Sequence, residues 1–208
     1  MAGQRKNPRI PEAEIDAQFL DRWSPRAFAP DPVSEQQLAA LFEAARWAPS
    51  CFNEQPWLFL YATEEADLRR FRSLIVEVNR KWADAAPALV LVFARRQFAR
   101  NGKANRHSSF DAGAAWMSLA LQARRLGLDT HAMAGFDEDA SYDVLAVPRD
   151  RYEAMAVIAI GHRGDPGSLP EPLAQKESPN GRRPLSEVAY RGVFPGDPGG
   201  ICQGVKGN

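Results

Sequence analysis

An uninterrupted apolar run, ALVLVFA, extends from Ala88 to Ala94 directly after Pro87. The run contains β-branched residues and is far shorter than the roughly 20 residues that a membrane-spanning helix needs. A strand whose side chains are apolar on both sides must have both of its faces covered. The run therefore predicts a buried strand at the centre of a sheet.

Helical and strand patterns alternate along the rest of the chain, which indicates α and β elements mixed in one layered domain over 1–194. Apolar residues at helical spacing predict helices over 12–23, 34–48, 64–82, 108–128 and 140–146. Short strands are expected at 57–62, 130–134 and 154–160, and mostly loop at 162–183. The Gly-rich stretch 195–208 lacks periodicity and is expected to be a flexible tail.

Two shorter signals sharpen the helix predictions. Ser34 followed three positions later by Gln37 is a capping-box pattern, and Gly127 supplies a C-terminal stop for the 108–128 helix. Asp111 lies on that predominantly apolar helix, where a carboxylate needs a partner, so we expect it to accept a structural hydrogen bond.

The charge balance limits the classes of ligand. Lys plus Arg and Asp plus Glu both total 26, so no net field favours nucleic acid, an acidic membrane surface or a bulk polyanion. Any anion must be bound locally. The N-terminal residues contain no apolar signal-peptide core, and a cytoplasmic location is therefore expected.

Side chains that could act as nucleophiles or metal ligands show no useful spacing. Cys51 and Cys202 lie far apart, which argues against a disulfide framework or a zinc site. The three histidines, His107, His131 and His162, form neither a metal-ligand pattern nor a catalytic triad. Hydrolytic chemistry therefore has little support.

The strongest local anion signal is DRWSPRAF. Arg22 and Arg26 stand four residues apart with Ser24 between them, in a turn interrupted by Pro25. Two guanidinium forks and a hydroxyl suit a phosphate monoester. Spacing alone leaves open an ordinary solvated pair of arginines.

A second polar cluster lies in PSCFNEQPWLF, where Pro49, Ser50, Asn53 and Gln55 fall between a helix and a strand. Amide side chains suit a ligand edge that alternates donors and acceptors, such as the imide edge of a flavin. The alternative is a helix-to-strand turn in which these side chains bond to the backbone.

Two further positions could contribute. Arg182 and Arg183 return basic charge after the long loop, either as a second clamp on the same phosphate or as a solvated turn. Gly135 ends a predicted strand, where the missing Cβ lets a backbone N–H approach a ligand or merely permits a turn. No Rossmann or P-loop glycine pattern is present.

Six blocks, read in order, resemble the successive signature segments of the nitroreductase family and extend from Asp21 to about Val188. They are RWSPRAF, APSCFNEQPWLF, NRKWADAAPALVLVF, DAGAAWMSLALQARRLGL, MAGFD and RRPLSEV. Each block alone matches the family only weakly, but their joint occurrence in this order is far more specific. It outweighs the non-functional interpretations given above for the individual segments.

The resemblance implies an α+β fold with a mixed central sheet flanked by helices, in an intertwined homodimer with FMN at the subunit interface. Arg22, Ser24 and Arg26 match the family block that holds the FMN phosphate, and Arg182 or Arg183 resembles the closing phosphate contact. The loop containing Pro49, Ser50, Asn53 and Gln55 matches the one contributed to the flavin of the other subunit. Asn79 resembles an asparagine that reaches the flavin ring, and Gly135 resembles the backbone contact to its hydride-accepting nitrogen. MAGFD stands where several members have a PxEG-like turn.

The activity implied by the resemblance is reduction of nitroaromatic, quinone or similar small acceptors by NADH or NADPH, with ping-pong hydride transfer through FMN. The chemistry then belongs to the flavin, and no catalytic side chain is expected. Two alternatives remain: a non-catalytic module that binds or stores FMN, and a specialised family member using reduced flavin with oxygen or removing halogens. The sequence selects neither an acceptor nor one nicotinamide nucleotide.

Overall fold

A computed structural model describes residues 7–196. Its helices are α1 (Ala17–Asp21), α2 (Glu35–Arg46), α3 (Glu65–Leu74), α4 (Glu77–Ala83), α5 (Ser108–Arg125), α6 (Glu138–Val144) and α7 (Glu171–Ala174). Its strands are β1 (Trp57–Ala62), β2 (Ala88–Arg95), β3 (Asp129–Met133) and β4 (Tyr152–Gly161). Short 3₁₀ turns lie at Cys51–Asn53, Pro166–Ser168 and Leu185–Glu187. The α+β fold class is confirmed.

The four strands form a sheet in the order β1-β2-β4-β3, with every neighbouring pair antiparallel. The expected mixed sheet was wrong for this part of the chain, because a parallel strand is absent from residues 7–196. β2 and β3 run in the same direction, but β4 lies between them and is antiparallel to both. β3 lies at one edge and carries the segment that leads to the site described below.

β2 is the strand predicted at the sheet centre, and its side chains alternate between two apolar cores. Leu89, Leu91 and Phe93 pack in the core formed with α3, α4 and α6. Val90 and Val92 pack in the opposite core with α2 and α5. Burial on both faces confirms the prediction made from the apolar run.

The predicted end signals of two helices are confirmed. Ser34 Oγ accepts the Gln37 N–H, and the Gln37 side chain accepts the Ser34 N–H in return. At the end of α5, Gly127 has φ +75°, and the Leu128 N–H bonds back to the Ala123 carbonyl. This left-handed residue closes the helix in a Schellman arrangement.

The first predicted helix is shorter than expected. Only Ala17–Asp21 is helical, because the Asp16 side chain accepts the Gln18 N–H and caps a helix that begins there. Ile15 and Phe19 stay about half exposed, whereas Trp23 is buried, so the apolar stripe predicted over 12–23 packs only at its C-terminal end.

The predicted 64–82 helix was also wrong in its continuity. Ile75 and Val76 are extended and separate α3 from α4, since Ile75 pairs with Phe136 across an isolated bridge. The Val76 N–H donates to the Gly135 carbonyl at 3.1 Å. A long-range backbone pairing therefore outweighs helical propensity here, and it brings the start of α4 beside the segment after β3.

No helix among residues 7–196 has the length and apolarity needed to cross a membrane. Most of the predicted tail, from residue 197 onward, lies outside the described residues.

Candidate functional site

The DRWSPRAF segment is extended between α1 and α2 and is fixed against the end of β4. The Ala29 N–H donates to His162 O at 2.9 Å, and the Gly164 N–H donates to Ala27 O at 2.8 Å. A Cβ at Gly164 would lie 2.7 Å from the Phe28 carbonyl carbon, so only glycine permits this close approach. The segment is thus anchored by backbone contacts rather than by helix formation.

A cavity of about 430 Å³ opens beside this segment, and we name it the cation-lined cavity. Its walls come from the N-terminal segment, the DRWSPRAF segment, β3 and the loop after α7. They are Arg9, Arg22, Trp23, Ser24, Arg26, His131, Lys176, Ser178, Asn180 and Arg182. The structure therefore brings together four predicted phosphate contacts, Arg22, Ser24, Arg26 and Arg182.

The electrostatics of this cavity favour an anion. Within residues 7–196, none of its arginines or its lysine has a carboxylate oxygen within 4.0 Å. Burial lowers the pKa of Arg22 below its ordinary value, and the positive charge of Arg182 lowers it further. The Arg22 Nε atom is buried without a hydrogen-bond partner in the described structure. A bound anion would satisfy that donor and relieve the repulsion between the cations.

Glu177 fixes the backbone of the segment that carries these donors. It is only 3% exposed, and its Oε1 atom accepts the N–H groups of Arg26 at 2.7 Å and Ala27 at 2.9 Å. These hydrogen bonds hold the loop after α7 against the DRWSPRAF segment. Sequence reasoning missed Glu177 because it stands in an irregular loop with no motif to mark its burial.

Arg9 joins three segments at the cavity wall and was also missed. Its guanidinium donates to the carbonyl oxygens of Leu20 at 2.9 Å and Arg22 at 2.6 Å, and to that of Asn180 at 2.9 Å. Burial, followed by the charges of Arg182 and Arg22, lowers the pKa of Arg9. These contacts make Arg9 a structural clip, and partners so distant in sequence give no local signal.

His131 lies on β3 and completes the inner wall. Its Nδ1 atom is 2.8 Å from the Pro25 carbonyl oxygen, and its ring packs on Trp82 with centroids 4.4 Å apart. Burial, together with the charge of Arg26, lowers the pKa of His131 to about 4, although the bond to Pro25 opposes the shift. The imidazole is therefore neutral at physiological pH.

Asn79 and Gly135, predicted separately, are in contact. The Asn79 Nδ2 atom donates to the Gly135 carbonyl at 3.2 Å, and a Cβ on Gly135 would lie 2.5 Å from the same atom. The missing Cβ therefore permits close packing against Asn79 of α4, a role beside the ligand approach and the turn that the sequence left open. The Gly135 N–H has no partner among the described residues and is available to a ligand.

The loop Pro49–Gln55, which we name the polar loop, lies apart from the cation-lined cavity. Ser50 Oγ accepts the Gln55 N–H, the Gln55 amide donates to Asn53 O, and Asp111 Oδ2 accepts the Cys51 N–H at 3.0 Å. The structural role expected for Asp111 is confirmed. Phe52, Asn53 and Gln55 all have positive φ, at 54°, 58° and 47°, which concentrates backbone strain in one exposed loop.

The predicted residues thus divide into groups. The polar loop contributes no residue to the cavity wall, and neither do Asn79 on α4 and Gly135 just after β3. Arg183 lines a neighbouring, largely apolar groove of about 770 Å³ instead of the cation-lined cavity. Of the two arginines left open by the sequence, the geometry therefore favours Arg182 as the anion contact.

This fold is found in solved oxidoreductases with FMN. One crystal structure, described as an oxidoreductase containing FMN, is 41% identical, covers 92% of this chain and 98% of its own, and has a TM-score of 0.87. A candidate nitroreductase from Desulfovibrio desulfuricans in complex with FMN is 25% identical, with 86% and 96% coverage and a TM-score of 0.68.

Sequence comparison leads to the same group. A protein from Streptomyces coelicolor, named as a candidate NADH dehydrogenase/NAD(P)H nitroreductase, is 28% identical over 178 residues, which are 76% of this chain and 88% of that protein. The sequence model described as the nitroreductase family matches residues 20–81 and 74–162. The chain belongs to the nitroreductase family, and the resemblance seen in the ordered blocks is confirmed.

Proposed function

We propose that this protein is an FMN-dependent NAD(P)H oxidoreductase that reduces nitroaromatic, quinone or similar small acceptors by a ping-pong reaction. The observation that carries the proposal is the cation-lined cavity, with the buried, unpartnered Nε of Arg22 beside Ser24, Arg26 and Arg182. The family and the FMN named in the titles of similar structures support the same cofactor.

The phosphate end of FMN fits this cavity. A phosphate monoester offers acceptor oxygens only, and the guanidinium groups of Arg22, Arg26 and Arg182 are donors only. Ser24 adds a hydroxyl, and Lys176 adds a compact positive charge. Together they would neutralise the phosphate and satisfy the buried Arg22 donor.

The ring end fits the segment after β3. Gly135 lies two residues after the end of β3, the strand that carries His131. A ligand whose phosphate and ring lie at opposite ends of a ribityl chain would extend from the cavity wall at His131 toward Gly135. The free Gly135 N–H and the Asn79 amide would then contact the polar side of the ring.

When bound, FMN supplies the redox chemistry, taking a hydride from the nicotinamide nucleotide and passing it to the acceptor. The residues of the chain would bind and orient FMN and polarise its ring. Arg22, Arg26 and Arg182 fix the phosphate, while the Gly135 N–H is a preorganised donor that favours negative charge on the ring edge. No side chain acts as a nucleophile or an obligatory acid or base in this mechanism.

A homodimer is part of the proposal, with the polar loop completing the flavin site of the other subunit. Large apolar side chains are exposed on and near this loop: Trp47 at 73%, Phe52 at 68% and Phe110 at 80%. Exposure of several large apolar groups in one region is typical of a surface covered by a partner. Sedimentation of the purified protein as a species of twice the chain mass would support this arrangement, and a monomer that binds flavin would contradict it.

The experiment that tests the activity starts with the colour of the purified protein. We expect a yellow protein whose flavin absorbance bleaches rapidly when NADH or NADPH is added without oxygen and returns when a quinone or nitroaromatic is added. Colour without bleaching would favour an FMN-binding module. A colourless protein that takes up no FMN would contradict both functions. The cytoplasmic location stays a prediction.

A further inference from the structure

The cation-lined cavity contains one side chain whose free polar atom can only accept a hydrogen bond. His131 places its Nδ1 atom 2.8 Å from the Pro25 carbonyl oxygen. A carbonyl oxygen can only accept, so Nδ1 carries the hydrogen. In the neutral ring the other nitrogen, Nε2, is then an acceptor.

The Nε2 atom has no hydrogen-bond partner among the described residues, and it is not among the buried polar atoms that lack one. It is therefore not fully buried, and the space that His131 lines is the cation-lined cavity. Packing on Trp82 and the bond to Pro25 fix the ring in this orientation. The acceptor is preorganised rather than free to turn away.

Its surroundings make this acceptor distinctive. The neighbouring Arg22, Arg26, Arg182 and Lys176 side chains are donors without any acceptor atom. A phosphate alone would need only these donors, because a dianionic phosphate has no hydrogen to give to Nε2. A neutral imidazole acceptor beside them suits a ligand that carries a hydroxyl close to its phosphate.

We propose that His131 Nε2 accepts a hydrogen bond from a ribityl hydroxyl of the flavin, an inference that rests on the proposed function. The phosphate would occupy the arginine side of the cavity, and the polyol chain would pass His131 on its way toward Gly135. His131 is then a binding residue for the ribityl chain and, through Pro25, a positioning residue for the segment carrying Ser24 and Arg26.

Three flavins separate these roles. FMN carries the ribityl chain and the phosphate, riboflavin carries the chain alone, and lumiflavin has a methyl group in its place. Dissociation constants would be measured by flavin fluorescence for the full-length protein freed of flavin. For His131→Phe we expect riboflavin to bind about three- to tenfold more weakly, with lumiflavin unchanged, as befits loss of one neutral hydrogen bond.

If the FMN affinity of His131→Phe falls by a larger factor than its riboflavin affinity, the difference would measure the effect of losing the contact to Pro25. His131→Gln retains a donor for Pro25 and an acceptor, so it should restore part of the riboflavin affinity. If His131→Phe does not fold, as judged by circular dichroism, His131→Met provides a second side chain without the acceptor nitrogen.

Unchanged riboflavin affinity in the folded variant would overturn the inference, as would equal weakening of riboflavin and lumiflavin. These outcomes leave FMN binding by the wild-type protein intact. Failure of the wild-type protein to bind any of the three flavins would instead overturn the proposed function, and this inference with it.

Discussion

The cation-lined cavity and the polar loop differ in how far the chain itself accounts for their geometry. In the cavity, Glu177 fixes the backbone of Arg26, Arg9 clips three segments together, and His131 holds Pro25. In the polar loop, hydrogen bonds fix the backbone, but Asn53 and Gln55 remain exposed in left-handed conformations. Contacts within the chain thus account for the geometry of the cation-lined cavity. The polar loop retains backbone strain that gives no evident benefit to the chain.

The difference has a physical meaning. Left-handed conformations of non-glycine residues cost about 1 to 3 kcal/mol each and persist where the surroundings enforce them, often at functional sites. The cavity requires no such strain, since its ligand contacts come from long, flexible side chains on an anchored backbone. Strain in the polar loop is consistent with a role toward a second subunit, as proposed above.

The largest expected effect concerns the pH dependence of the cavity. The pKa of His131 is about 4 in the folded chain against an ordinary 6.5. Between these values the unfolded chain binds the additional proton, so the free energy of unfolding falls as the pH drops from about 6.5 to 4, by up to about 3 kcal/mol. Urea denaturation at several pH values, without added flavin, measures this.

The matched control is His131→Gln, which has no titrating group at this position. The variant should lose less stability than the wild-type protein over the same pH range. If the free energy of unfolding fell equally with pH in the two proteins, His131 would titrate with an ordinary pKa, and burial would not lower it.

The next effect separates phosphate binding from ring binding. Arg22→Ala removes a buried donor, and each charge-assisted hydrogen bond contributes roughly 1.5 to 3 kcal/mol, so FMN affinity should fall about 10- to 150-fold. Riboflavin affinity should change little because riboflavin lacks the phosphate. Equal FMN occupancy in purified wild-type and variant protein would contradict the assignment.

A smaller effect distinguishes two adjacent arginines. Arg182 lines the cavity and is more exposed than Arg22, so Arg182→Ala should weaken FMN about three- to tenfold, within the range of a single solvent-screened contact. Arg183→Ala is the matched control, since Arg183 faces the neighbouring groove. FMN affinity would be measured by titration. A greater loss of affinity in Arg183→Ala than in Arg182→Ala would assign the phosphate contact to Arg183 instead.

Features of the fold that depend on neighbours in sequence were predictable. The apolar run of β2, the capping box at Ser34 and the glycine stop at Gly127 each act within a few residues, and the structure has all three. The spacing of Arg22 and Arg26 was a local signal of the same kind, although the contacts that fix their segment, to Glu177 and to the end of β4, are long-range.

Features that depend on distant partners were not predictable from one sequence. The break at Ile75 results from pairing with Phe136, and no proline or glycine marks it. Glu177 meets Arg26 across 151 positions, and nothing near Glu177 distinguishes it from a solvated loop carboxylate. The sequence therefore predicted only part of the cavity wall. The proposed ligand contacts could be found from motifs, but the residues that position them could not.

The smallest effect tests whether the strain in the polar loop serves binding. Gln55→Gly removes the cost of a positive φ, although glycine also raises the entropy of the unfolded chain. The free energy of unfolding should therefore stay unchanged or rise by up to about 1 kcal/mol. If the Gln55 amide contacts flavin, the same change should weaken FMN about two- to tenfold.

Ala146 offers a matched control, since its φ is 53° and it lies in an exposed turn after α6, far along the chain from the polar loop. Ala146→Gly should give a similar or larger gain in stability with no change in FMN affinity. A gain in stability at both positions combined with lost affinity only at Gln55 would assign the loop strain to the ligand. Unchanged FMN affinity in Gln55→Gly would mean that the polar loop is strained for a reason unrelated to flavin, and the contrast with the cation-lined cavity would then be structural rather than functional.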